Sequence, residues 1–206
     1  MSDLSHPAAA LGLGVALGAS PGPVQALLMS EAVRGGVSRG LRAMAGANGT
    51  FGVLLLLLAA GLSFLEPGEE VVRVIKVAGG VFLLFLAADT IREGRRHQGD
   101  GRAEPSLHPA VRGVLAVVLN PGVWIFLPTT GAAVLADAAR DGGFALSAAT
   151  VVALTIGVSA MDGTVVLLAA GGARRLSDRG LRGLSTALAM ILAVVGAWLV
   201  VAGIRA

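Results

Sequence analysis

Two stretches, Ser20-Pro21-Gly22-Pro23 and Asn120-Pro121-Gly122, each interrupt a long apolar run that otherwise has the composition of a helix. Proline has no backbone N–H to give to a helix interior, and its ring clashes with the preceding turn. The residue before a proline also disfavours the helical conformation. The serine and the asparagine are good helix caps, and the proline after each suits the first helical position. The pattern therefore predicts that one helix ends and another begins within each run, at a first break (residues 20–23) and a second break (residues 120–122).

The composition around these breaks is that of a membrane protein. The 206 residues are 55% hydrophobic and 14% charged, and the mean hydropathy is +0.80, whereas soluble domains carry about 25% charged residues. Strands of a membrane barrel would alternate in polarity over about 10 residues, and no such alternation is present. Six apolar stretches reach the ~20 residues that a spanning helix needs; they lie at about 8–30, 43–65, 71–91, 113–136, 144–172 and 183–204.

Twelve of the sixteen basic residues fall in alternate connections between these stretches, and Arg73, Arg140 and Arg205 lie on the other side. By the positive-inside rule the first, third and fifth connections are cytoplasmic, and both termini face outward. This pattern also explains the net charge of +3, so the charge need not indicate binding to nucleic acid. The alternative is that residues 92–112 bind nucleic acid or lipid headgroups. The arginines of the three connections are Arg34, Arg39 and Arg42, then Arg92, Arg95, Arg96, Arg102 and Arg112, then Arg174, Arg175, Arg179 and Arg182.

The two halves of the chain resemble each other. Besides the paired breaks, residues 48–50 (Asn-Gly-Thr) are followed by Val-Leu-Leu, and residues 162–164 (Asp-Gly-Thr) are followed by the same three residues. Helices 1–3 (residues 8–92) thus correspond to helices 4–6 (residues 110–205), with a cytoplasmic linker at 93–109. Because three is odd, the second copy must cross the membrane in the opposite sense, as in many secondary transporters. The predicted fold is all-α and polytopic, with six transmembrane helices in two inverted three-helix repeats whose helices 1 and 4 are broken.

Each break also predicts a binding site. The first N–H groups of a helix have no intrahelical partner, and the helix dipole adds positive potential there. Such groups cannot face lipid, and a carboxylate is a natural ligand for them. We therefore expect Gly22 and Gly122 to present N–H groups to one carboxylate. The alternative is that the prolines only kink their helices.

Asp162 is the deepest acid in the chain, and its counterpart in the first half is the neutral Asn48. An intramembrane carboxyl indicates a substrate, ion or proton pathway, although a hydrogen-bonded packing role is the alternative. Thr50 has the alternative of bonding back to its own helix. The predicted substrate-binding residues are Ser20, Pro21, Gly22, Pro23, Gln25, Asn48, Thr50, Asn120, Pro121, Gly122, Trp124 and Asp162.

The chain resembles the LysE/RhtB family of amino-acid exporters over about residues 8–205. The Pro-Gly-Pro of the first break, the glycine-spaced segment 35–52, the Gly-Gly-Val-Phe-Leu-Leu-Phe-Leu block at 79–86 and the Asn-Pro of the second break carry this resemblance. It implies six spans and export of amino acids or similar small solutes across the bacterial plasma membrane, driven by ion gradients. Relatives often have an acid in helix 2 where this chain has Asn48-Gly49-Thr50, which leaves the coupling mechanism and the substrate class open.

These observations predict a secondary transporter that exports an amino acid or similar small zwitterion across the plasma membrane, coupled to protons. The alternative is a divalent metal-ion exporter, which would need several intramembrane carboxylates or histidines. No paired carboxylates, clustered histidines or nucleophile with a base lies at membrane depth, so we expect no enzyme, cofactor or resident metal. The absence of cysteine excludes disulfides and thiolate metal sites. Gly14-x-x-x-Gly18 favours close helix packing and permits a homodimer.

Overall fold

The computed structural model describes residues 5–61, 68–96 and 107–205, which contain helices and turns and no strand. Most of the predicted linker, and the end of the second apolar stretch at residues 62–65, lie outside these residues. The helices are α1 (Ser5–Ala19), α2 (Pro23–Ala59), α3 (Glu69–Arg96), α4 (Pro109–Val118), α5 (Pro121–Phe126), α6 (Ala132–Ala173) and α7 (Asp178–Arg205), with a π-helical turn at Leu127–Gly131 between α5 and α6.

Helices end at both predicted breaks. At the second break Asn120 is the N-cap of α5, and its side chain accepts a hydrogen bond from the backbone of the new helix, as the sequence predicts. At the first break the cap is Gly22, with φ −164° and ψ −177°, and Pro23 is the first helical residue of α2. Ser20 and Pro21 therefore do not have the predicted capping roles. The reason is the second proline, which forces the residue before it into an extended conformation and so excludes Pro21 from the helix.

Two Gly-Gly pairs bend the longest helices. Gly35 and Gly36 interrupt α2, and Gly142 and Gly143 interrupt α6; the second glycine of each pair has positive φ, 72° and 64°. Glycine adopts this conformation without the strain that a Cβ would add. Both bends fall in predicted connections between apolar stretches, the first between residues 30 and 43 and the second between residues 136 and 144. Each bend divides one continuous helix into two segments.

By length and composition, four helical runs in the described part of the chain can cross a membrane: Pro23–Ala59, Glu69–Arg92, Pro121–Ala173 and Arg179–Arg205. The first and third have 37 and 53 residues, well above the ~20 that one crossing needs, and these two contain the Gly-Gly bends. The class predicted from composition, an all-helical multi-pass membrane protein, is confirmed.

Glycines bring the broken helices against their neighbours. A Cβ on Gly14 of α1 would lie 2.1 Å from the carbonyl oxygen of Leu154 in α6, and one on Gly157 would lie 2.2 Å from that of Leu11. Backbone therefore packs directly on backbone, in the manner that small residues allow within membranes. Gly18 packs on α6 as well, so the Gly14-x-x-x-Gly18 stripe is used inside the chain, and a homodimer would need another surface.

The second broken helix makes the matching contact with α2. A Cβ on Gly113 of α4 would lie 2.0 Å from the carbonyl oxygen of Ala43, and one on Gly46 would lie 2.0 Å from that of Ala110. The helix before the first break thus packs on α6, and the helix before the second break packs on α2. α2 and α6 also pack closely on each other, and so do α3 and α7, with Gly80 against Gly196.

Replacement of Gly14 by alanine should destabilise the fold, because the added methyl meets a backbone carbonyl that cannot move without shifting α6. We expect Gly14→Ala to lower the free energy of unfolding by about 1–3 kcal/mol, measured by thermal unfolding of the purified protein. Gly12→Ala is the matched control, since a Cβ there has nothing within 4 Å. Equal changes in the two variants would contradict backbone-to-backbone packing at this site.

Candidate functional site

A cavity of about 320 Å³ lies between the two breaks, a size within the ~300–1,000 Å³ of small-molecule sites. Both breaks contribute to its wall, and so do α2 and α6 in the middle of their apolar runs. The lining residues are Leu17, Gly18, Ser20, Pro21, Gly22, Pro23, Val24, Gln25, Asn48, Phe51, Val117, Asn120, Gly122, Val123, Phe126, Val158 and Asp162.

The amide of Gln25 joins three helices at this cavity. Its Nε2 donates to Asp162 Oδ1 of α6 at 2.6 Å and also to the backbone carbonyl of Gly18, near the end of α1. The last carbonyls of a helix have no intrahelical donor, so this side chain supplies one. Asp162 is only 1% exposed. The first turn of α2 therefore holds the deepest acid in place.

The two residues that correspond in the sequence repeat meet in the same cavity. Asn48 and Asp162 both line it, although they come from α2 and α6. The Asn48 Nδ2 donates to Ser159 Oγ at 3.1 Å, one turn before Asp162 on α6. The cavity wall therefore combines an amide from the first half of the chain with a carboxyl from the second.

The polar backbone of the second break is already satisfied by the protein. The Gly122 N–H donates to Asn120 Oδ1 at 2.9 Å, and the Val123 N–H donates to the Asn120 carbonyl at 3.1 Å. The indole Nε1 of Trp124 donates to the carbonyl of Val118 at 2.7 Å, at the end of α4. The prediction that the Gly122 N–H is free for a ligand is wrong, because the capping asparagine occupies it.

At the first break the capping residue is a glycine, which has no side chain to accept a hydrogen bond from the first N–H groups of α2. Gly22 makes no side-chain cap bond, and its carbonyl accepts from the Ala26 N–H at 3.0 Å. Pro23 has no N–H, so Val24 and Gln25 carry the first backbone donors of α2, which lack a carbonyl four residues earlier in the helix. Both residues line the cavity.

Nine of the twelve predicted site residues line the cavity, and Thr50, Pro121 and Trp124 do not. Thr50 donates to the Gly46 carbonyl at 2.7 Å within its own helix, which was the alternative given for it. Pro121 is buried between two lining residues, and Trp124 holds the end of α4 as described above.

The sequence reasoning missed the apolar part of the wall. Phe51 and Phe126 lie with ring centroids 5.8 Å apart at a tilt of 45°, and Leu17 and Val158 complete this side. Phe51 lies three residues after Asn48, which places the two on one helix face, and that spacing could have indicated it. The cavity therefore offers a carboxyl and amides to a polar group, and aromatic rings to an apolar one.

The fold and site define a multi-pass helical membrane protein with a polar cavity at two helix breaks. A family model described as LysE type translocator matches residues 15–203, and the chain belongs to this family. No curated protein and no solved structure matches the chain. The chain is thus a membrane translocator of a family whose members export small molecules and are transporters rather than enzymes, and the family predicted from the sequence is confirmed.

Replacement of Gln25 by leucine should destabilise the site, because Asp162 and the Gly18 carbonyl both lose their amide donor while they stay buried. We expect a loss of about 1–3 kcal/mol in the free energy of unfolding, measured by thermal unfolding. Thr164→Val is the control, since Thr164 is exposed and bonds within α6. An unchanged melting temperature in Gln25→Leu would show that this amide does not hold the three helices.

Proposed function

We propose that this translocator is a secondary transporter that exports an amino acid or a similar small zwitterion across the plasma membrane, coupled to protons. The observation that carries the proposal is the place of Asp162, a buried carboxyl bonded to Gln25 in one cavity with both helix breaks. A carboxyl at membrane depth is costly and is retained where it binds a cation or a proton. A substrate or coupling ion accounts for its position at a cavity.

The two ends of a zwitterion fit opposite sides of this wall. The ammonium group would bind the Asp162 carboxylate. The carboxylate would bind the Val24 and Gln25 N–H groups, where the positive end of the α2 dipole lies. Phe51 and Phe126 would contact an apolar side chain of the substrate. When Asp162 takes up a proton instead, the ammonium loses its partner, which provides a physical basis for exchange of substrate against protons.

We further propose six spans in two inverted repeats, residues 8–92 and 110–205, joined by a cytoplasmic linker at 93–109. Three observations support the repeat. The Gly-Gly bends of α2 and α6 share one conformation, and they divide the two over-long helices. α1 packs on α6 as α4 packs on α2, and the corresponding Asn48 and Asp162 line one cavity. The arginine-rich connections would face the cytoplasm and both termini the outside.

The second function considered, export of a divalent metal ion, requires several oxygen or nitrogen ligands around one site. Within the described residues no group of three or more His, Asp or Glu side chains is placed to hold a metal ion, and Asp162 is the one carboxyl among the cavity-lining residues. Thermal-shift screening of purified protein distinguishes the two proposals. Stabilisation by an amino acid supports ours, and stabilisation by a divalent metal alone supports the other.

Replacement of Asp162 by asparagine should abolish export while it preserves the fold, because the amide keeps the hydrogen bonds but cannot bind an ammonium or a proton. In cells loaded with labelled amino acids, we expect efflux in Asp162→Asn to fall at least about tenfold, since a lost charge-assisted bond contributes about 1.5–3 kcal/mol. Asp137→Asn, an exposed acid on the same helix, should retain the wild-type rate. The proposal fails if no amino acid leaves wild-type cells faster than Asp162→Asn cells.

Replacement of Pro121 by alanine should close the second break, because the restored N–H can bond to the Val117 carbonyl and continue α4 into α5. We expect transport to be lost, with the protein still monodisperse in detergent. Pro109→Ala is the control, since Pro109 occupies the first position of α4, where proline is not needed to stop a helix. Full activity of Pro121→Ala would mean that the break is not part of the transport pathway.

A further inference from the structure

A second polar cluster lies apart from the cavity, at the end of the helices where the arginine-rich connections lie. Glu31 of α2 and Arg112 of α4 are both fully buried, and Glu31 Oε1 pairs with Arg112 Nη1 at 3.0 Å. The other guanidinium nitrogen of Arg112, Nη2, contacts Asp89 Oδ2 of α3. One arginine therefore joins α4 to both α2 and α3. From the sequence, Arg112 indicated only the orientation of the chain in the membrane, and no role was predicted for Glu31.

Further side chains complete this cluster. Arg39 Nε lies 2.6 Å from Glu31 Oε2, and Arg34 Nη2 lies 3.3 Å from Asp89 Oδ2. Asp89 is thus paired with Arg112 and Arg34. The ion pairs thus link side chains of α2, α3 and α4.

The cluster lies to one side of the cavity, along the two helices that adjoin the breaks. Glu31 follows Pro23, the first residue of α2, by eight positions, and Arg112 precedes Pro121, the first residue of α5, by nine. At 1.5 Å per residue each is about 12–14 Å from its break, on the same side of the cavity. Along α2 and α4, Leu27 and Ala116 come between the cluster residues and the cavity-lining residues, and both pack with Leu86 in one buried apolar cluster. Buried apolar side chains and buried ions thus lie on this side of the cavity.

Among the described residues the opposite face has a buried apolar cluster, which includes Leu55, Leu127 and Leu154, but no buried ion pair. Asp137 and Arg140 pair there, but their side chains are 57% and 73% exposed. His6 lies 2.8 Å from Asp141, whose side chain is 59% exposed. The structure is thus sealed by buried ions on the arginine-rich side, and the ion pairs described on the other side are exposed.

We propose that the Glu31–Arg112–Asp89 cluster is the gate on the arginine-rich side of the translocation pathway. The gate is closed when Arg112 is paired. It opens when α4 separates from α3 and from the segment of α2 before the Gly-Gly bend, while α4 stays packed on the segment after the bend through Gly46 and Gly113. Buried ion pairs contribute little net stability, because desolvation offsets their attraction, and water that enters between the helices restores the hydration of each ion. A closure made of such pairs is therefore one that can open. The inference rests on the proposed function in requiring a pathway, but it does not depend on the substrate.

The absence of cysteine from the chain makes the gate testable by single-cysteine labelling. Ala116 lies one turn from Arg112 toward the cavity and is 3% exposed. We would place Ala116→Cys in the otherwise unaltered protein and apply a membrane-impermeant methanethiosulfonate to each face of membrane vesicles. Ser177→Cys, in the exposed turn before α7, identifies the arginine-rich face. The Ala116→Cys thiol is expected to react from that face alone, at least about tenfold more slowly than the Ser177→Cys thiol, because most molecules have the gate closed at any moment.

The same introduced thiol then reports on the gate variants. Arg112→Gln should raise the labelling rate of the Ala116→Cys thiol from the arginine-rich face at least about fivefold, because the closed state loses its ion pairs. Arg179→Gln, which removes an exposed arginine outside the cluster, should not change that rate. The double variant Glu31→Gln/Arg112→Gln leaves neither partner of that pair charged and is the second test if the single variant does not fold. It should show the same increase.

Two results would overturn the proposal. One is an Ala116→Cys thiol that stays inert from both faces in the unaltered background, since a gate must open during the transport cycle. The other is a folded Arg112→Gln or double variant in which this thiol reacts at the unaltered rate. Because labelling needs no substrate, failure of the gate is distinguishable from failure of the transport proposal, which the efflux assay measures.

Discussion

Backbone N–H and C=O groups at membrane depth must find partners within the protein, because lipid offers none. Each interruption of an apolar helix therefore leaves backbone groups without an intrahelical partner, and other parts of the protein must form hydrogen bonds with them. At the second break these partners are nearby side chains: Asn120 accepts from the Gly122 N–H, and the indole of Trp124 donates to the Val118 carbonyl. At the first break the cap is a glycine without a side chain, and Gln25 supplies a donor to the carbonyl of Gly18. The two breaks are thus equivalent in sequence but unequal in chemistry.

Because the two breaks differ in this way, the polar groups that a ligand could bind lie mainly at the first break. The side chain of Gln25 donates both to the Gly18 carbonyl at the end of α1 and to Asp162. The same side chain therefore supplies a partner to the broken backbone and fixes the position of the buried acid. The second break also lines the cavity, but the N–H groups of Gly122 and Val123 are already bonded to Asn120. A ligand with one anionic and one cationic group would therefore lie between the start of α2 and the middle of α6.

Close packing of backbone makes this arrangement possible. Gly14 and Gly157 bring α1 within contact distance of α6, and Gly46 and Gly113 do the same for α2 and α4. Because these contacts fix α1 on α6 and α4 on α2, both breaks lie at one cavity. The buried ions around Arg112 then close one end of the space so formed.

The sequence by itself determined the membrane class, the family and the places where helices end, since apolar length and the missing N–H of proline act locally. It also predicted that Asn48 and Asp162 correspond to each other in the proposed repeat. It assigned the cap of the first break to Ser20 instead of Gly22, because two prolines compete for the first helical position there. Only the tertiary structure brought together Gln25 and Asp162, 137 positions apart, and Glu31 and Arg112, 81 apart. Such pairs depend on how helices pack, and helix packing is decided by contacts between distant segments that no local pattern encodes.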